Sequence, residues 1–329
     1  MTLAMLSLFG LGSCSSSTPA LDPSDGGSVD AGADAGVAGG STDGGAVVTC
    51  TGAPNTPGGP DHWGGCWPGA DNTGVPAGTV LSEYTGPCTI TADNTVIDAK
   101  TISCDLSIQA ANVTITRSKI TGSVATDENS TGFSFSISDS EIDAGQRAAT
   151  GLGAVNYTAT RVHIQGGNRS VLCWHDCTVT DSYVHGQFRD STGTYHESGM
   201  RMSSATTYRH NTIVCDAPDV PPDGGCSADL TGYGDFGAVE NNTIDRNLFG
   251  ATTGGYCAYG GSSQGKPYSD DTHHIVFTQN VFQRGTSPSD HGEFVCGAYG
   301  AITSFDTSLP GNVWTDNTMD DGTVLDASN

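Results

Sequence analysis

Residues 113–120 read Val-Thr-Ile-Thr-Arg-Ser-Lys-Ile, and the same order of residue types returns along the rest of the chain. The order is apolar, any, apolar, two polar residues, Ser or Asn, any, apolar. Alternating apolar and polar side chains are typical of β-strands that show one face to a core. Because Asn tolerates a left-handed backbone, we expect the Ser or Asn to mark a bend. Further copies occupy 135–142, 157–164 and 177–184, and lie around Asn211, Asn247, Asn280 and Asn317.

The spacing of these copies predicts the architecture. The interval is 22 residues from Ser118 to Ser140 and 37 residues from Asn280 to Asn317. A repeat of about twenty residues is the size of one solenoid coil, which buries its apolar side chains by stacking on its neighbours. Strand crossovers within one sheet are right-handed by strong preference. We therefore expect an all-β, single-domain, right-handed parallel β-helix with long loops on the C-terminal coils. A β-sandwich is the alternative.

At these repeats, over roughly residues 70–325, the sequence resembles the pectate-lyase-like right-handed parallel β-helix superfamily. It also resembles extracellular bacterial β-helix repeat proteins, which open with segments similar to residues 74–79 and 95–98. The resemblance implies a carbohydrate-active protein. Lyases of this superfamily remove the proton α to a uronate carboxyl and expel the 4-linked sugar. They often use an Arg or Lys base and Ca²⁺ held by acidic residues.

The first residues differ in composition from the repeats. Residues 1–14 are mostly apolar and end in Leu-Gly-Ser-Cys, which looks like the lipobox of a bacterial lipoprotein signal peptide with Cys14 as the lipidation site. Residues 15–49 are mostly Gly, Ala, Ser and Asp, which favours a disordered linker. We expect a β-helix domain over 50–329, held at the cell envelope by the lipid, with no other membrane contact.

Charge limits the partners. The chain has 12 Lys and Arg against 36 Asp and Glu, a net charge of −24. Nucleic-acid binding requires a basic surface that releases counterions, so this class of function is excluded. The net charge also repels a polyuronate, which favours either a bridging Ca²⁺ ion or a less anionic glycan. We expect a monomer that binds a polysaccharide or oligosaccharide.

Cysteine usage indicates an oxidising compartment. Without Cys14, an even number of cysteines remains, and five disulfides are the simplest interpretation. Sequence alone does not fix their connectivity, and pairing of neighbours is the simplest arrangement. A zinc site at Cys173 and Cys177 is the alternative. The neighbouring pairs are Cys50 and Cys66, Cys88 and Cys104, Cys173 and Cys177, Cys215 and Cys226, and Cys257 and Cys296.

A compact cluster of chemically active residues lies at 195–202. If the two methionines of this stretch face the core, alternation sends Glu197 and Arg201 outward on one strand face, with His196 beside them. For β-elimination, Tyr195 or His196 would be the base, and Arg201 with Arg189 would supply positive charge. The structural alternative is a solvated ion pair, with His196 bonded to a loop carbonyl.

The long loops carry the remaining candidates. Aromatic faces stack on sugar rings, and polar groups take hydrogen bonds from the hydroxyls. The candidates for substrate binding are Tyr233, Tyr256, Tyr259, Lys266 and Tyr299. Asp290 and Glu293 are candidates for Ca²⁺, although acids in so acidic a chain are usually solvated.

Three functions remain open. A polysaccharide lyase is favoured by the resemblance. A glycoside hydrolase needs two carboxyls about 5 to 10 Å apart, one on each side of the glycosidic bond. A non-catalytic glycan-binding surface lipoprotein needs neither. The carboxyls available to a hydrolase are Asp190, Glu197, Asp229 and Asp235.

Overall fold

A computed structural model describes residues 49–285 and 296–329. The predictions for Cys14, for the signal peptide and for almost all of the linker lie outside the described residues. So do those for Asp290 and Glu293. They stay predictions.

The strands form three parallel sheets, numbered here in the order in which the chain first visits them. Sheet 1 contains β1 Ser82–Glu83, β4 Lys100–Ile102, β7 Lys119–Thr121, β10 Glu141–Asp143, β13 His163–Gln165, β16 Tyr183–His185, β19 Thr212–Ile213, β22 Leu248–Phe249, β25 Val281–Phe282 and β28 Thr318–Met319. Sheet 2 contains β2 Thr89–Ile90, β5 Leu106–Ile108, β8 Val124–Thr126, β11 Thr150–Gly153, β14 Arg169–Leu172, β17 His196–Arg201, β20 Gly225–Thr231, β23 Tyr256–Tyr259 and β26 Gly300–Thr303. Sheet 3 contains β3 Val96–Asp98, β6 Val113–Thr116, β9 Phe135–Ser138, β12 Val155–Thr160, β15 His175–Thr180, β18 Ser204–Arg209, β21 Glu240–Asp245, β24 His273–Thr278 and β27 Val313–Thr315.

The chain visits the three sheets in turn, and each strand pairs in parallel with the strand one coil away. The expected parallel β-helix is confirmed, and the β-sandwich alternative is wrong. The right-handed sense of the coil remains a prediction from the handedness preference of strand crossovers. The helical content of the described residues is a short 3₁₀ turn at Ser269–Asp271, and none of the described residues form a helix long and apolar enough to cross a membrane.

Columns of apolar side chains fill the interior. In sheet 1, each apolar residue lies in register with the same position of the next coil, as Ile120 does with Ile142 and Ile142 with Ile164. All three are buried. Burial of one such side chain contributes about 1.5–3 kcal/mol, so the stacking of coils provides the stability that one coil lacks.

The bend in each repeat differs from the expected one. The left-handed residue is the one before the Ser or Asn: Arg117 has φ 47° and His210 has φ 51°. The Ser or Asn itself is buried, and its side-chain oxygen accepts a backbone N–H from the coil before. Ser140 Oγ accepts from Ser118 N at 3.0 Å in this way. The prediction of a left-handed Asn is wrong, because the Ser or Asn side chain points inward and accepts a backbone N–H from the neighbouring coil.

In the later coils this position forms an asparagine ladder, defined by Asn211, Asn247, Asn280 and Asn317. Asn247 Oδ1 accepts from both the backbone and side-chain nitrogens of Asn211 at 3.0 Å. Asn247 Nδ2 donates to the carbonyl of Tyr208 at 2.9 Å and to Asn280 Oδ1 at 3.1 Å. The ladder therefore pairs polar groups that would otherwise be buried without partners.

The left-handed residues carry alternating charges on the surface of the earlier coils. Successive coils present Arg117, Asp139, Arg161 and Asp181 at this position. Arg161 Nε donates to Asp139 Oδ1 at 2.6 Å. Exposed pairs of this kind contribute between zero and about 1 kcal/mol each.

Residues 49–74 form a strap outside the coils, which begin only at β1. Asn55 Nδ2 donates to the carbonyl of Asp320 at 2.8 Å, so the strap contacts the last coil. Trp67 packs on the outer side chains of Leu248 and Val281. Gly74 N then donates to the carbonyl of Arg161 at 3.0 Å. The strap thus runs along the outside of the stack from the last coil back toward the first.

The long loops leave the coils at two corners. Segments 186–195, 214–224 and 250–255 connect sheet 1 to sheet 2. Segments 232–239, 260–272 and 304–312 connect sheet 2 to sheet 3. The loops therefore flank sheet 2 on both sides, and the candidate site lies there.

Candidate functional site

The tyrosines predicted to bind substrate come together on sheet 2. Tyr233 and Tyr259 meet edge to face with ring centres 4.9 Å apart. Tyr256 lies 5.7 Å from Tyr259 and 5.9 Å from Tyr299. Lys266 Nζ lies 5.9 Å from the ring centre of Tyr233. The structure thus brings together all five residues proposed from the loops.

An aromatic cleft adjoins these tyrosines. Trp174 and Phe236 meet edge to face at 6.0 Å, and Phe236 is 72% exposed. Trp174 Nε1 donates to Glu128 Oε2 at 2.8 Å. The cleft has a volume of about 410 Å³. Ser203 and Asn129 also line it, so hydrogen-bonding groups lie beside the rings. Sequence reasoning missed Trp174, Phe236 and Glu128.

Arg201 joins the cleft to the tyrosines. Its guanidinium carbon lies 5.2 Å from the Trp174 ring centre and 5.6 Å from both the Tyr233 and the Phe236 ring centres. It also pairs with Asp235, and its side chain is 6% exposed. The guanidinium therefore positions rings rather than presenting a free charge to a substrate. We call the continuous surface the aromatic trough, formed by Trp174, Phe236, Arg201, Tyr233, Tyr259, Tyr256 and Tyr299.

Arg169 is a second arginine at the trough that sequence reasoning missed. It begins β14, and its Nε is buried without a hydrogen-bond partner among the described residues. Burial, together with the nearby positive charge of Arg201, lowers the pKa of Arg169 to about 10. Asp235 and Tyr233 are close enough to oppose that shift. Arg169 is therefore easier to deprotonate than an ordinary arginine.

Glu197 does not join Arg201 on an outward face, so that prediction is wrong. The register shifts between Glu197 and Ser198, as in a β-bulge, which breaks the alternation assumed from sequence. The Glu197 side chain is buried, and its Oε2 accepts from Gly225 N at 3.0 Å. Burial raises the pKa of Glu197 to about 7. In this conformation no substrate reaches the carboxyl.

The other predicted catalytic residues lie at the opposite end of β17 from Arg201. His196 is exposed there, and five residue steps separate it from Arg201 by about 16 Å. Tyr195 is 43% exposed, with its ring 5.8 Å from that of Phe188. Arg189 is also exposed, and its backbone N–H donates to Gln146 Oε1 at 3.0 Å. The structure thus separates these three residues from the Arg201 end of the trough.

The two remaining carboxyls considered for a hydrolase have structural roles. Asp190 is buried, which raises its pKa. Hydrogen bonds from Thr192, Thr194 and Tyr195 outweigh this and hold the pKa of Asp190 well below its usual range. Asp229 is fully buried, which raises its pKa well above the usual range, and its Oδ1 accepts from Cys215 N at 2.6 Å. Neither carboxyl is open to a substrate.

Five disulfides join the ten cysteines in the neighbouring pairs. The Cys173–Cys177 disulfide removes the thiolates that a zinc site there would need, so that alternative is wrong. Asp229 lies within 4.8 Å of both sulfurs of Cys257 and Cys296, but these too are disulfide-bonded. The disulfides are consistent with an extracellular or envelope protein.

Compared with protein-family models, curated proteins and solved structures, the chain matches none.

Proposed function

We propose that the protein binds a polysaccharide along the aromatic trough, outside the cytoplasm. The observation that carries the proposal is the series of contacts from Trp174 to Tyr299, in which the Arg201 guanidinium links the Trp174 ring to the four tyrosine rings. The series follows sheet 2 from β14 to β26, about 19 Å at the usual strand spacing. This length suits several sugar units, whose apolar faces stack on aromatic rings.

The charges of the trough favour a neutral or weakly anionic glycan. Arg201 is neutralised by Asp235, and Glu128 adds a carboxylate at the cleft. Lys266 is exposed beside Tyr233 and provides one cation. A strongly anionic polyuronate would meet a chain of net charge −24, and would need a bound cation such as Ca²⁺ to bridge the two.

Arg169 favours lyase activity as the second candidate function. In β-elimination a neutral base takes the proton α to the uronate carboxyl, the electron pair forms the new double bond, and the sugar oxygen leaves. The lowered pKa of Arg169 makes its neutral form more accessible than that of other arginines. This assignment replaces His196 as the base, because His196 lies at the opposite end of β17 from Arg201. It agrees with the base expected from the resemblance to β-helix lyases.

The cellular location is part of the same proposal. The disulfides support an oxidising compartment. A lipid on Cys14 and the linker of residues 15–49 would hold the β-helix at the outside of a membrane. Radiolabelled palmitate incorporated by the wild type and not by Cys14→Ser would support this, and equal labelling would contradict it.

The function is tested by pull-down of the purified protein on insoluble neutral and uronate polymers, followed by absorbance of the unsaturated product. We expect retention on at least one polymer, lost in Trp174→Ala. An increase in absorbance that disappears in Arg169→Ala would establish the lyase. If Trp174→Ala is retained as strongly as the wild type, the trough is not the binding site.

A further inference from the structure

Two adjacent histidines of β24 direct the same ring nitrogen toward each other. His273 Nδ1 lies 2.8 Å from His274 Nδ1, and the two rings are perpendicular. Adjacent strand residues ordinarily point to opposite faces. His274 has φ 52°, and this left-handed backbone accounts for both rings lying on one side. Two potential metal-ligating nitrogens thus converge.

Glu240 determines which nitrogen of His273 carries the proton. Its Oε2 lies 2.9 Å from His273 Nε2, and Ser204 Oγ donates to its Oε1 at 3.4 Å. A carboxylate accepts the N–H at Nε2, which leaves the lone pair of neutral His273 on Nδ1, facing His274. At metal sites a carboxylate behind a liganding His holds the ring and increases its basicity.

The ring of His274 is held by the loop that follows sheet 2. Its backbone N–H donates to the carbonyl of Pro310 at 2.8 Å. A Cβ atom on Gly311 would lie 2.3 Å from His274 Cδ2, so the ring packs against bare backbone. Neighbouring residues therefore restrict the rotamers of both imidazoles.

The two rings border an open pocket of about 530 Å³ whose lining includes acidic residues. Asp270 and Asp271, on the 3₁₀ turn, line the same pocket. Both carboxylates are exposed, and water can fill the remaining coordination positions. The pocket shares no lining residue with the aromatic cleft.

We propose that His273 and His274 bind one divalent transition-metal ion, of which Zn²⁺ is the test case. Zinc binds nitrogen at about 2.0–2.1 Å, which puts two tetrahedral ligands roughly 3.3 Å apart, so the rings need only a small rotation. Imidazole nitrogens select such ions over Ca²⁺ and Mg²⁺, which prefer oxygen. A bound ion would connect β24 to the loop at 260–272. This inference is independent of the proposed glycan binding.

The test is calorimetric titration of the untagged full-length protein with ZnCl₂. It uses a His163→Ala background, because His163 Nε2 lies 2.7 Å from His185 Nε2 and would add a second imidazole pair. In this background we expect one equivalent of Zn²⁺ to bind, with a higher melting temperature. Adding His273→Gln or His274→Asn should lower the affinity at least tenfold. Asn is chosen at 274 because it tolerates the left-handed backbone.

Two further variants separate a metal site from general surface binding. Glu240→Gln should weaken binding about tenfold, because the carboxylate supports a ligand without being one. His175→Ala is the matched control, since His175 is a surface histidine whose Nδ1 lies 2.9 Å from Asp176 Oδ2, and it should bind as the background does. Unchanged affinity in both the 273 and 274 variants would overturn the proposal. So would Ca²⁺ competing as well as Zn²⁺.

Discussion

Arg201 lies over the face of Trp174, with its guanidinium carbon 5.2 Å from the ring centre. Trp174 follows β14 and Arg201 ends β17 in the next coil, so the contact depends on the stacking of the coils. Because Arg201 also pairs with Asp235, it fixes the wall of the trough on two sides. The consequences of this contact can be tested.

Arg201→Lys keeps the positive charge and removes the planar group that stacks on the rings. We expect the melting temperature to fall and glycan binding to weaken about tenfold, because Trp174 and Phe236 lose their shared partner. Thermal melting and pull-down measure the two effects. Arg189→Lys, at an exposed arginine away from the trough, should change neither. Equal behaviour of the two variants would show that Arg201 does not organise the site.

Tyr299→Ala removes the exposed end of the tyrosine series. Tyr299 is 57% exposed, so the fold should tolerate the change. We expect affinity for a long glycan to fall roughly tenfold, equivalent to about 1.4 kcal/mol. Tyr268→Ala is the control, because Tyr268 is 40% exposed and lies outside the trough. A short oligosaccharide bound only near Trp174 should be unaffected, and an equal loss for short and long ligands would contradict the extended site.

Asn247→Ala removes the centre of the asparagine ladder. It leaves the carbonyl of Tyr208 and the N–H of Asn211 buried without their partners. Each orphaned group costs about 1–3 kcal/mol, so we expect the free energy of unfolding to fall by about 3 kcal/mol. Asn247→Ser should cost less, because Ser182 fills the same position in an earlier coil and still accepts an N–H. Chemical denaturation measures both, and equal losses would refute this role for the side-chain oxygen.

The repeat shows what sequence alone can predict here. Alternation and spacing identify strands and coils, because both patterns follow directly from burial in a solenoid. They do not show which of two adjacent residues adopts the left-handed backbone. Asn211 is suited both to positive φ and to a buried hydrogen bond, and only the stacked coils show that the second use applies while His210 makes the turn.

Glu197→Gln should flatten the dependence of stability on pH. The folded pKa of Glu197 is about 7, above the unfolded value of 4.5, so the folded state retains a proton that the unfolded state releases. Wild-type stability attributable to this group therefore falls as pH rises from about 4.5 to about 7, by roughly 3 kcal/mol. Melting temperatures across this range measure the difference between wild type and variant. Glu128→Gln, at an exposed carboxyl, is the control. Parallel profiles for wild type and Glu197→Gln would contradict the prediction.

His210→Gln should loosen the strap, and the contribution of His210 to stability, like that of Glu197, falls as pH rises. Burial lowers the pKa of His210, but the carboxylates of Asp181 and Asp61 outweigh burial and raise it above its usual value. The charged imidazole thus stabilises the fold below about pH 6.5, and this contribution is lost as pH rises through the folded pKa. Hydrogen exchange of residues 49–74 should be faster in the variant at pH 6. The difference should shrink in alkaline solution, and a constant difference would exclude titration of His210 as the cause.

The sequence predicts the tyrosines of the site but neither the position of Trp174 nor the orientation of Glu197. Tyr233 and Tyr299 are predictable because they lie in inserts between strands, whereas Tyr256 and Tyr259, expected in a loop, form the two ends of β23. Trp174 was missed because it lies in a short connection between two cysteines and meets Phe236 only through coil stacking. Glu197 was misplaced because a register shift is invisible in an alternating pattern.

In the earlier half of the stack, the sign of the charge at the left-handed position alternates from one coil to the next. Arg117, Asp139, Arg161 and Asp181 each stand beside neighbours of the opposite sign. Excision of a single coil would place two like charges side by side, whereas excision or duplication of a pair would preserve the order. Each pair of like charges on adjacent coils costs only a few tenths of a kcal/mol, but one such pair forms wherever a single coil is removed. Growth of this solenoid by gene duplication is therefore easiest in steps of two.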